Sequence, residues 1–245
     1  MQKVVILGAT SGIAQEVQRL LARSGKELLL VARSTERLSA VAADLGTRGA
    51  AKVETFVADL ADISTHTGVL RYAHEHLPEF DTVLLAYGTM LNQEQCKYSV
   101  EVTWRELNTN FTSAAALLTL FAEYFEERKS GCIATITSVA GERGRRSNYV
   151  YGSAKGALSL FLQGLRSRLH ESGVRVITIK SGPVETAMTD NRTSRMLADP
   201  KDVAKAICQT LETRSPEILY TPWKWRYVMA IVRAIPEPIF KRLNF

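Results

Sequence analysis

Residues 3–14 read KVVILGATSGIA, in which an apolar run passes directly into a loop with two glycines. Gly8 would let the chain turn sharply after a strand. Gly12 would let a pyrophosphate approach backbone N–H groups at the start of a helix, where the helix dipole favours anions. Such a loop can also be a tight strand–helix turn that binds nothing, but its place after the first strand favours a nucleotide site. The predicted site comprises five loop residues, Gly8, Thr10, Ser11, Gly12 and Ile13.

Strand and helix patterns continue to alternate along the chain. Short apolar runs typical of buried strands lie at Lys3–Leu7, Leu28–Ala32, Val53–Ala58, Thr82–Ala86, Cys132–Thr137 and Val174–Lys180. Helical spacing of apolar residues lies at Ser11–Ser24, Thr35–Leu45, Ile63–Leu77, Val102–Glu127 and Tyr149–Ser172, and a helix at Pro200–Glu212 precedes a short strand near Ile218–Tyr220. This order predicts an α/β fold: a single Rossmann-type, doubly wound parallel sheet with helices on both faces. We expect residues 1–221 to form this domain and residues 222–245 to form a C-terminal extension.

Length, charge and cysteine content restrict the class of protein. A chain of 245 residues with 46% hydrophobic and 23% charged residues fits one globular domain. The net charge of +6 favours anionic partners, but the basic residues are scattered and no nucleic-acid motif is present, so we expect no nucleic-acid partner. The three cysteines are widely spaced and form no CxxC motif, which indicates a reducing, cytoplasmic compartment. The histidines lack ligand spacing, so we expect no metal.

The end of the second predicted strand bears on the choice between NAD and NADP. It reads VARS at residues 31–34. A carboxylate there would bind an adenosine ribose hydroxyl and favour NAD, whereas an arginine can bind the 2′-phosphate of NADP. Arg33 could simply be an exposed arginine at a strand end, but the lack of an acid favours NADP(H) as the cofactor. Asp59 and Leu60, after the third strand, are placed to meet the adenine, although Asp59 could instead cap the next helix.

A tyrosine–lysine pair provides the candidate chemistry. Tyr151 and Lys155, in YGSAK, are four residues apart and therefore share one face of a helix. A free tyrosine has a pKa of about 10, and a nearby ammonium lowers that pKa by stabilising the phenolate. Such a pair also occurs by chance. Ser138, however, ends the fifth strand, at the carboxyl edge of the sheet where open α/β sheets bind ligands.

Together these motifs resemble the short-chain dehydrogenase/reductase family over roughly residues 3–213. The resemblance rests on GATSGIA at residues 8–14, Asp59-Leu60, NFTS from Asn110, TSVAG around Ser138 and YGSAK. It implies hydride transfer between NADP(H) and a carbonyl or alcohol, with Tyr151 as general acid/base and Lys155 also holding the nicotinamide ribose. It also implies that Ser138 orients the carbonyl and stabilises charge on its oxygen. Asn110 would steady a water that connects Lys155 with solvent, or it could only satisfy backbone groups inside a long helix.

Two segments depart from the pattern of the family. Its NNAG motif reads LAYG at residues 85–88, so Ala86 and Gly88 remain predicted cofactor contacts, and Tyr87 could line the cofactor pocket in place of the lost asparagine. Its PG-x-V-x-T motif reads SGPVET at residues 181–186. The resemblance implies that Val184 and Thr186 meet the nicotinamide carboxamide.

The C-terminal extension combines large apolar residues with five basic residues and a single acid. In the family such segments commonly cover the substrate cleft or form subunit contacts. Alternatively, its aromatic and basic side chains suit a membrane–water interface; these are Trp223, Trp225, Tyr227, Phe240, Lys224, Arg226, Arg233, Lys241 and Arg242. The whole chain also resembles, more weakly, reductases of polyprenyl-phospho 2-keto-sugars of the kind that act in decaprenylphosphoryl-arabinose synthesis. Such an enzyme would bind peripherally to the inner face of the membrane.

Three functions stay open at this point. The first is a reductase of a small or acyl carbonyl compound, the second a membrane-surface reductase of a lipid-linked keto-sugar, and the third an NADP(H)-sensing protein without catalysis. Arg143, Arg145 and Arg146, between Ser138 and Tyr151, are either a solvated loop or a site that attracts an anionic substrate. The long apolar helices predict a homodimer or homotetramer.

Overall fold

The computed structural model describes residues 1–189, 197–213 and 215–243. Its strands are β1 (Lys3–Leu7), β2 (Glu27–Ala32), β3 (Lys52–Val57), β4 (Thr82–Leu85), β5 (Cys132–Ser138), β6 (Arg175–Ser181) and β7 (Ile218–Thr221). Its helices are α1 (Gly12–Arg23), α2 (Thr35–Thr47), α3 (His66–His76), α4 (Gln93–Tyr98), α5 (Val100–Leu107), α6 (Ser113–Arg128), α7 (Tyr149–Leu169), α8 (Pro200–Glu212), α9 (Trp225–Ala234) and α10 (Glu237–Phe240). Short 3₁₀ turns lie at Ile63–Thr65 and Val139–Glu142, and a π-helical turn lies at Asn108–Thr112.

The strands form one seven-stranded sheet in the order β3-β2-β1-β4-β5-β6-β7. Every neighbouring pair is parallel. The strand order reverses between β1 and β4, and a crevice opens outside the carboxyl ends of strands at such a point. This topology confirms the predicted doubly wound Rossmann-type sheet.

Buried apolar side chains cover both faces of the sheet. On one face, alternate strand residues such as Val5 and Val83 pack with α3, α6 and α7, including Phe121 and Leu158. On the other face, Ile6 and its neighbours pack with α1, α2 and α8. Because both faces are covered, the central strands are continuously apolar, which is why their short runs stand out in the sequence.

The predicted helix Val102–Glu127 is helical throughout, but it is not a regular α-helix. The chain instead forms α5, the π-helical turn and α6. The Asn110 side-chain amide donates a hydrogen bond to the backbone carbonyl oxygen of Glu106 at 3.0 Å. That carbonyl would otherwise pair only with the backbone N–H four residues later, so the side chain offers the backbone an alternative to the regular helix. The other predicted elements differ from the structure by only a few residues at their ends.

Three short helices were not predicted. The first, α4, begins at an N-cap, where the side chain of Asn92 accepts a hydrogen bond from Glu94 N at 2.8 Å. The other two, α9 and α10, lie in the C-terminal extension. Within the described ranges, no helix is both long enough and apolar enough to cross a bilayer.

Candidate active site

Two adjoining cavities lie at the carboxyl edge of the sheet. They have volumes of about 540 and 310 Å³, within the range of small-molecule and cofactor sites. Both are bordered by the glycine loop and by the segment after β4, through Thr10, Ser11, Ala86, Tyr87 and Gly88. The larger cavity also contains Gly12, Ile13, Ser138, Tyr151, Lys155, Val184 and Thr186, and the smaller one contains Gly8, Arg33, Asp59 and Leu60. All but one of the predicted site residues therefore lie in these walls.

The glycine loop is held closely against neighbouring segments. Gly8 adopts φ +89°, and a Cβ there would lie 2.6 Å from the backbone nitrogen of Tyr87. A Cβ at Gly12 would lie 2.9 Å from Cγ2 of Thr186. Ser11 caps α1, its hydroxyl accepting a hydrogen bond from Ala14 N at 3.4 Å. The loop thus combines a left-handed turn with the N-terminus of a 12-residue helix, which is a suitable anion site.

Two arginines border the cavities near this loop. Arg33 is exposed and lines the smaller cavity, beside Asp59. Asp59 does not cap a helix; its side chain accepts a hydrogen bond from Ala61 N at 3.0 Å within the turn after β3. Arg37 was not predicted, although it lines the larger cavity and its guanidinium donates to the carbonyl of Thr10 at 3.1 Å. Its position in the first turn of α2, directly after the end of β2, was an available signal.

The catalytic candidates converge from β5 and α7. Ser138 ends β5; its hydroxyl accepts a hydrogen bond from Ala140 N at 3.1 Å and donates one to the carbonyl of Ser181 at 3.4 Å. Tyr151 is half-buried, and the ammonium nitrogen of Lys155 lies 5.9 Å from the centre of its ring. Lys155 also donates to the carbonyl of Ile136 at 3.5 Å. Burial lowers the pKa of Lys155 to about 8, while the negative charge of Glu106 acts in the opposite direction.

Asn110 lies behind the cavity wall. It is buried on the π-helical turn, and its side-chain oxygen accepts a hydrogen bond from Thr89 N at 3.2 Å. A Cβ on Gly88 would lie 2.6 Å from this oxygen and 3.1 Å from Lys155 Nζ. Only a glycine at position 88 therefore lets Asn110 and Lys155 approach the same point from two elements.

Tyr87 does line both cavities, at the place where the family motif is lost. Its hydroxyl lies 3.1 Å from the hydroxyl of Ser113, and burial raises the pKa of Tyr87, so the phenol stays neutral. The side chain closes the space below the glycine loop, since it also contacts the position that a Cβ of Gly8 would occupy.

The three arginines between Ser138 and Tyr151 have different surroundings. Arg143 binds the C-terminal extension: it donates to Glu237 at 2.6 Å and to the Arg233 carbonyl at 3.1 Å, and it lies 4.2 Å from the centre of the Phe240 ring. Arg145 does line the larger cavity. Arg146 is exposed and lies in the wall of neither cavity.

The C-terminal extension has two sides. Trp225 and Phe240 are each 6% exposed, so the prediction that they insert in a membrane is wrong. Trp225 lines the larger cavity, and a Cβ on Gly182 would lie 2.1 Å from its indole nitrogen. Trp223 and Tyr227 face outward, 73% and 62% exposed. The extension therefore forms part of the cavity wall, which agrees with the alternative that it covers the substrate cleft.

A buried ionic group fastens the extension to the sheet. Glu142 accepts hydrogen bonds from Lys180 at 2.8 Å and from the Tyr220 hydroxyl at 2.6 Å, and it forms an ion pair with Arg233 at 3.4 Å. Burial and the hydrogen bond to Glu142 raise the pKa of Tyr220 to about 12, so its hydroxyl remains a donor. We call Glu142, Lys180, Tyr220 and Arg233 the tail-anchor cluster.

Comparison with known proteins identifies the family. A family model described as short chain dehydrogenase matches residues 2–197. The chain belongs to the short-chain dehydrogenase/reductase family. The members of this family are oxidoreductases that use NAD(P)(H).

Relatives of this short-chain dehydrogenase extend over its full length. It is 34% identical to the uncharacterized oxidoreductase Rv2073c of Mycobacterium tuberculosis, covering 98% of this chain and 96% of the relative. It is also 30% identical to an uncharacterized oxidoreductase of Staphylococcus epidermidis, and the match covers 84% of this chain and 89% of the relative. Its fold is similar to that of a short-chain dehydrogenase from Sphingobium yanoikuyae in complex with NADPH, with a TM-score of 0.84, 24% identity and 97% of each chain covered.

Proposed function

We propose that this protein is an NADP(H)-dependent oxidoreductase that reduces a carbonyl compound, or oxidises the matching alcohol, with Tyr151 as general acid/base. The observation that carries the proposal is the shared cavity: Ser138, Tyr151 and Lys155 line the same space as the glycine loop. The arrangement fits a dinucleotide. The glycine loop suits the pyrophosphate, Val184 and Thr186 suit the nicotinamide, and the residues proposed for the adenosine end, Arg33, Asp59 and Leu60, line the adjoining cavity.

The side chains divide the work of carbonyl reduction. NADPH, when bound, supplies the hydride. Tyr151 donates its hydroxyl proton to the substrate oxygen as negative charge develops there. The Lys155 ammonium stabilises the resulting phenolate, and the hydroxyl of Ser138 turns from the Ser181 carbonyl to donate to the same substrate oxygen. Asn110 and Gly88 keep the ammonium in place from the other side.

The choice of NADP rests on charge at the smaller cavity. Arg33 supplies a guanidinium there, and Arg37 supplies a second one beside the glycine loop. Guanidinium groups bind phosphate through paired N–H donors. Both side chains are therefore proposed to contact the 2′-phosphate that distinguishes NADP from NAD.

Tyr151→Phe tests the proposed mechanism. The phenyl ring keeps the packing but removes the proton donor, so NADPH binding followed by fluorescence should stay within about twofold of the parent, while NADPH oxidation with a panel of ketones and aldehydes should fall by about 10³-fold. Turnover close to the parent value would remove Tyr151 from the mechanism. A parent protein that binds NADPH and turns over nothing in the panel would favour the sensing protein without catalysis.

A second candidate is the reduction of a lipid-linked keto-sugar at a membrane surface. It is supported by the outer side of α9, where Trp223, Tyr227 and Ile231 are 62–73% exposed and recur every four residues. Lys224 and Arg226 are exposed next to them, and the opposite side of the same helix carries Trp225 into the cavity wall. An interfacial helix places aromatic groups at headgroup depth and basic groups against anionic lipid. A substrate anchored in that membrane would lie close to the cavity.

Sedimentation with vesicles of phosphatidylcholine and phosphatidylglycerol tests the second candidate. The triple variant Trp223→Ser, Tyr227→Ser and Ile231→Ser should lose binding. A matched control changes Tyr98, Val100 and Trp104, which are 62–87% exposed on α4 and α5, to serine and should still sediment. If the parent stays in the supernatant, the small carbonyl compound is the preferred substrate class. Light scattering of the parent protein without vesicles gives its molar mass and so tests the proposed homodimer or homotetramer.

A further inference from the structure

A buried carboxylate lies behind the catalytic wall. Glu106, on α5, is 1% exposed. Its side chain accepts hydrogen bonds from the Thr89 hydroxyl at 2.7 Å and from Leu91 N at 3.2 Å. These bonds satisfy one oxygen, Oε2, whereas the other, Oε1, is buried without a hydrogen-bond partner. A buried carboxylate that is only half satisfied is costly to the fold, which suggests a role beyond packing.

The surroundings of Glu106 connect it to the catalytic group. Its side chain holds the segment after Gly88 through Thr89 and Leu91, and its backbone carbonyl accepts from the Asn110 amide. The same amide donates to the Thr89 carbonyl at 3.0 Å. Glu106 therefore holds both the segment that follows Gly88 and Asn110, whose side-chain oxygen a Cβ at Gly88 would contact beside Lys155 Nζ.

Lys155 has few charged groups near it to offset its burial. Within the described part of the chain, the titratable groups that face it are Tyr151 from α7 itself and Glu106 from α5. The other elements packed against it contribute neutral groups: the Ile136 carbonyl from β5, the backbone of Gly88, and the Asn110 amide. An ammonium in such surroundings tends to lose its proton unless an anion lies within range.

We propose that Glu106 is a positioning residue whose carboxylate is the counter-charge of Lys155 and whose hydrogen bonds hold residues 88–91 against the catalytic wall. The inference rests on the role that the proposed function gives to Lys155. Its physical content is that Glu106 keeps the ammonium protonated at neutral pH. A protonated Lys155 is what both the phenolate of Tyr151 and the ribose hydroxyls require.

Removing the charge alone should therefore change the titration of Lys155. Glu106→Gln keeps the length of the side chain and an oxygen that can accept from Thr89. Without the carboxylate, the pKa of Lys155 should fall by about one unit, a tenfold change in the protonation equilibrium. Glu106→Asp keeps the charge one methylene farther away and should produce a smaller shift in the same direction. Glu101→Gln removes an exposed carboxylate from the same helix and should produce no shift.

The measurement is the ¹³C NMR titration of lysine side chains in the protein without cofactor, with the Lys155 signal assigned by its absence in Lys155→Met. A midpoint in Glu106→Gln equal to that of the parent overturns the inference. If Glu106→Gln does not fold, the Asp variant decides, and an unchanged midpoint there overturns it as well. In parallel, the pH at which NADPH binding weakens should fall with the Lys155 midpoint. If the parent protein binds no NADPH, the proposed function is contradicted. The NMR titration is made without cofactor, so it still tests whether Glu106 is the counter-charge of Lys155.

Discussion

The glycine loop and the C-terminal extension both border the larger cavity, yet contacts of very different sequence separation hold them in place. In the loop, Ser11 caps α1 through a residue three positions later. In the extension, Glu237 binds Arg143 across 94 positions, and the carbonyl of Arg233 accepts a hydrogen bond from Arg143 across 90. The left-handed turn and the helix cap of the loop therefore lie within one short motif, although Tyr87 and Thr186 also pack on it, whereas the bonds that hold the extension come from residues elsewhere in the chain.

The difference shows what composition can specify. Trp223 and Trp225 are two residues apart in a segment of uniform aromatic and basic character, but one is 73% exposed and the other is 6% exposed. What separates them is Gly182, whose missing side chain leaves room for the indole of Trp225. The helical spacing of Trp225, Val228, Met229 and Val232 indicates a buried side of α9, but it does not identify Gly182 as the place where that side packs. Predictions about the extension must therefore be tested at its distant partners.

The largest effect is expected in the tail-anchor cluster. Glu142→Gln keeps the size of the side chain but leaves Lys180, 10% exposed, without its carboxylate partner. Breaking a buried ion pair in this way should lower the free energy of unfolding by about 3 kcal/mol, as measured by urea denaturation. The double variant Glu142→Gln and Lys180→Met removes both charges and should recover a large part of the loss. A loss below about 1 kcal/mol would show that the buried pair of Glu142 and Lys180 does not stabilise the fold.

Gly182→Ala should have the next largest effect. The added methyl would lie 2.1 Å from the indole nitrogen of Trp225, so α9 must shift. Overpacking of this kind costs about 2 kcal/mol of unfolding free energy and should also change the tryptophan fluorescence. The matched control is Gly164→Ala in α7, where a Cβ meets nothing within 4 Å and alanine is the better helix former. Equal stability of the two variants would mean that Trp225 does not pack on Gly182.

How far each region could be predicted depends on how far apart in the sequence its contacting residues are. The parallel sheet, the glycine loop and the Tyr151–Lys155 pair were predictable because buried strands are continuously apolar and catalytic spacing is local. The π-helical turn at Asn110 was not predictable from apolar spacing, since the feature that accompanies it is a side-chain hydrogen bond from Asn110 to the carbonyl of Glu106. Glu106 itself gave no signal, because a glutamate on a helix is usually exposed. The burial of one side of α9 was not predicted either, because the residue on which it packs, Gly182, is distant in the sequence.

Near the glycine loop, substitutions of the arginines should change the preference between NADPH and NADH more than they change the free energy of unfolding. NADPH is expected to bind at least about tenfold tighter than NADH, which corresponds to about 1.4 kcal/mol. Arg33→Ala should remove most of this preference while leaving NADH binding and unfolding unchanged, as measured by fluorescence titration of both cofactors. Arg37→Ala should reduce the preference in addition. Equal dissociation constants for NADPH and NADH in the parent would contradict the assignment of Arg33 to the 2′-phosphate.

The smallest effect is expected for Glu237, a residue of the extension that binds Arg143 on the solvent-exposed side. Its side chain is 72% exposed, so its ion pair with Arg143 is screened by water and salt. Glu237→Gln should therefore lower the free energy of unfolding by only about 0.5 kcal/mol, and the difference should shrink in 1 M salt. Arg143→Ala should cost more, because it also removes the hydrogen bond to the Arg233 carbonyl and the contact with the Phe240 ring. If Glu237→Gln proved as costly as Glu142→Gln, the extension would be held from its surface and not by the buried cluster.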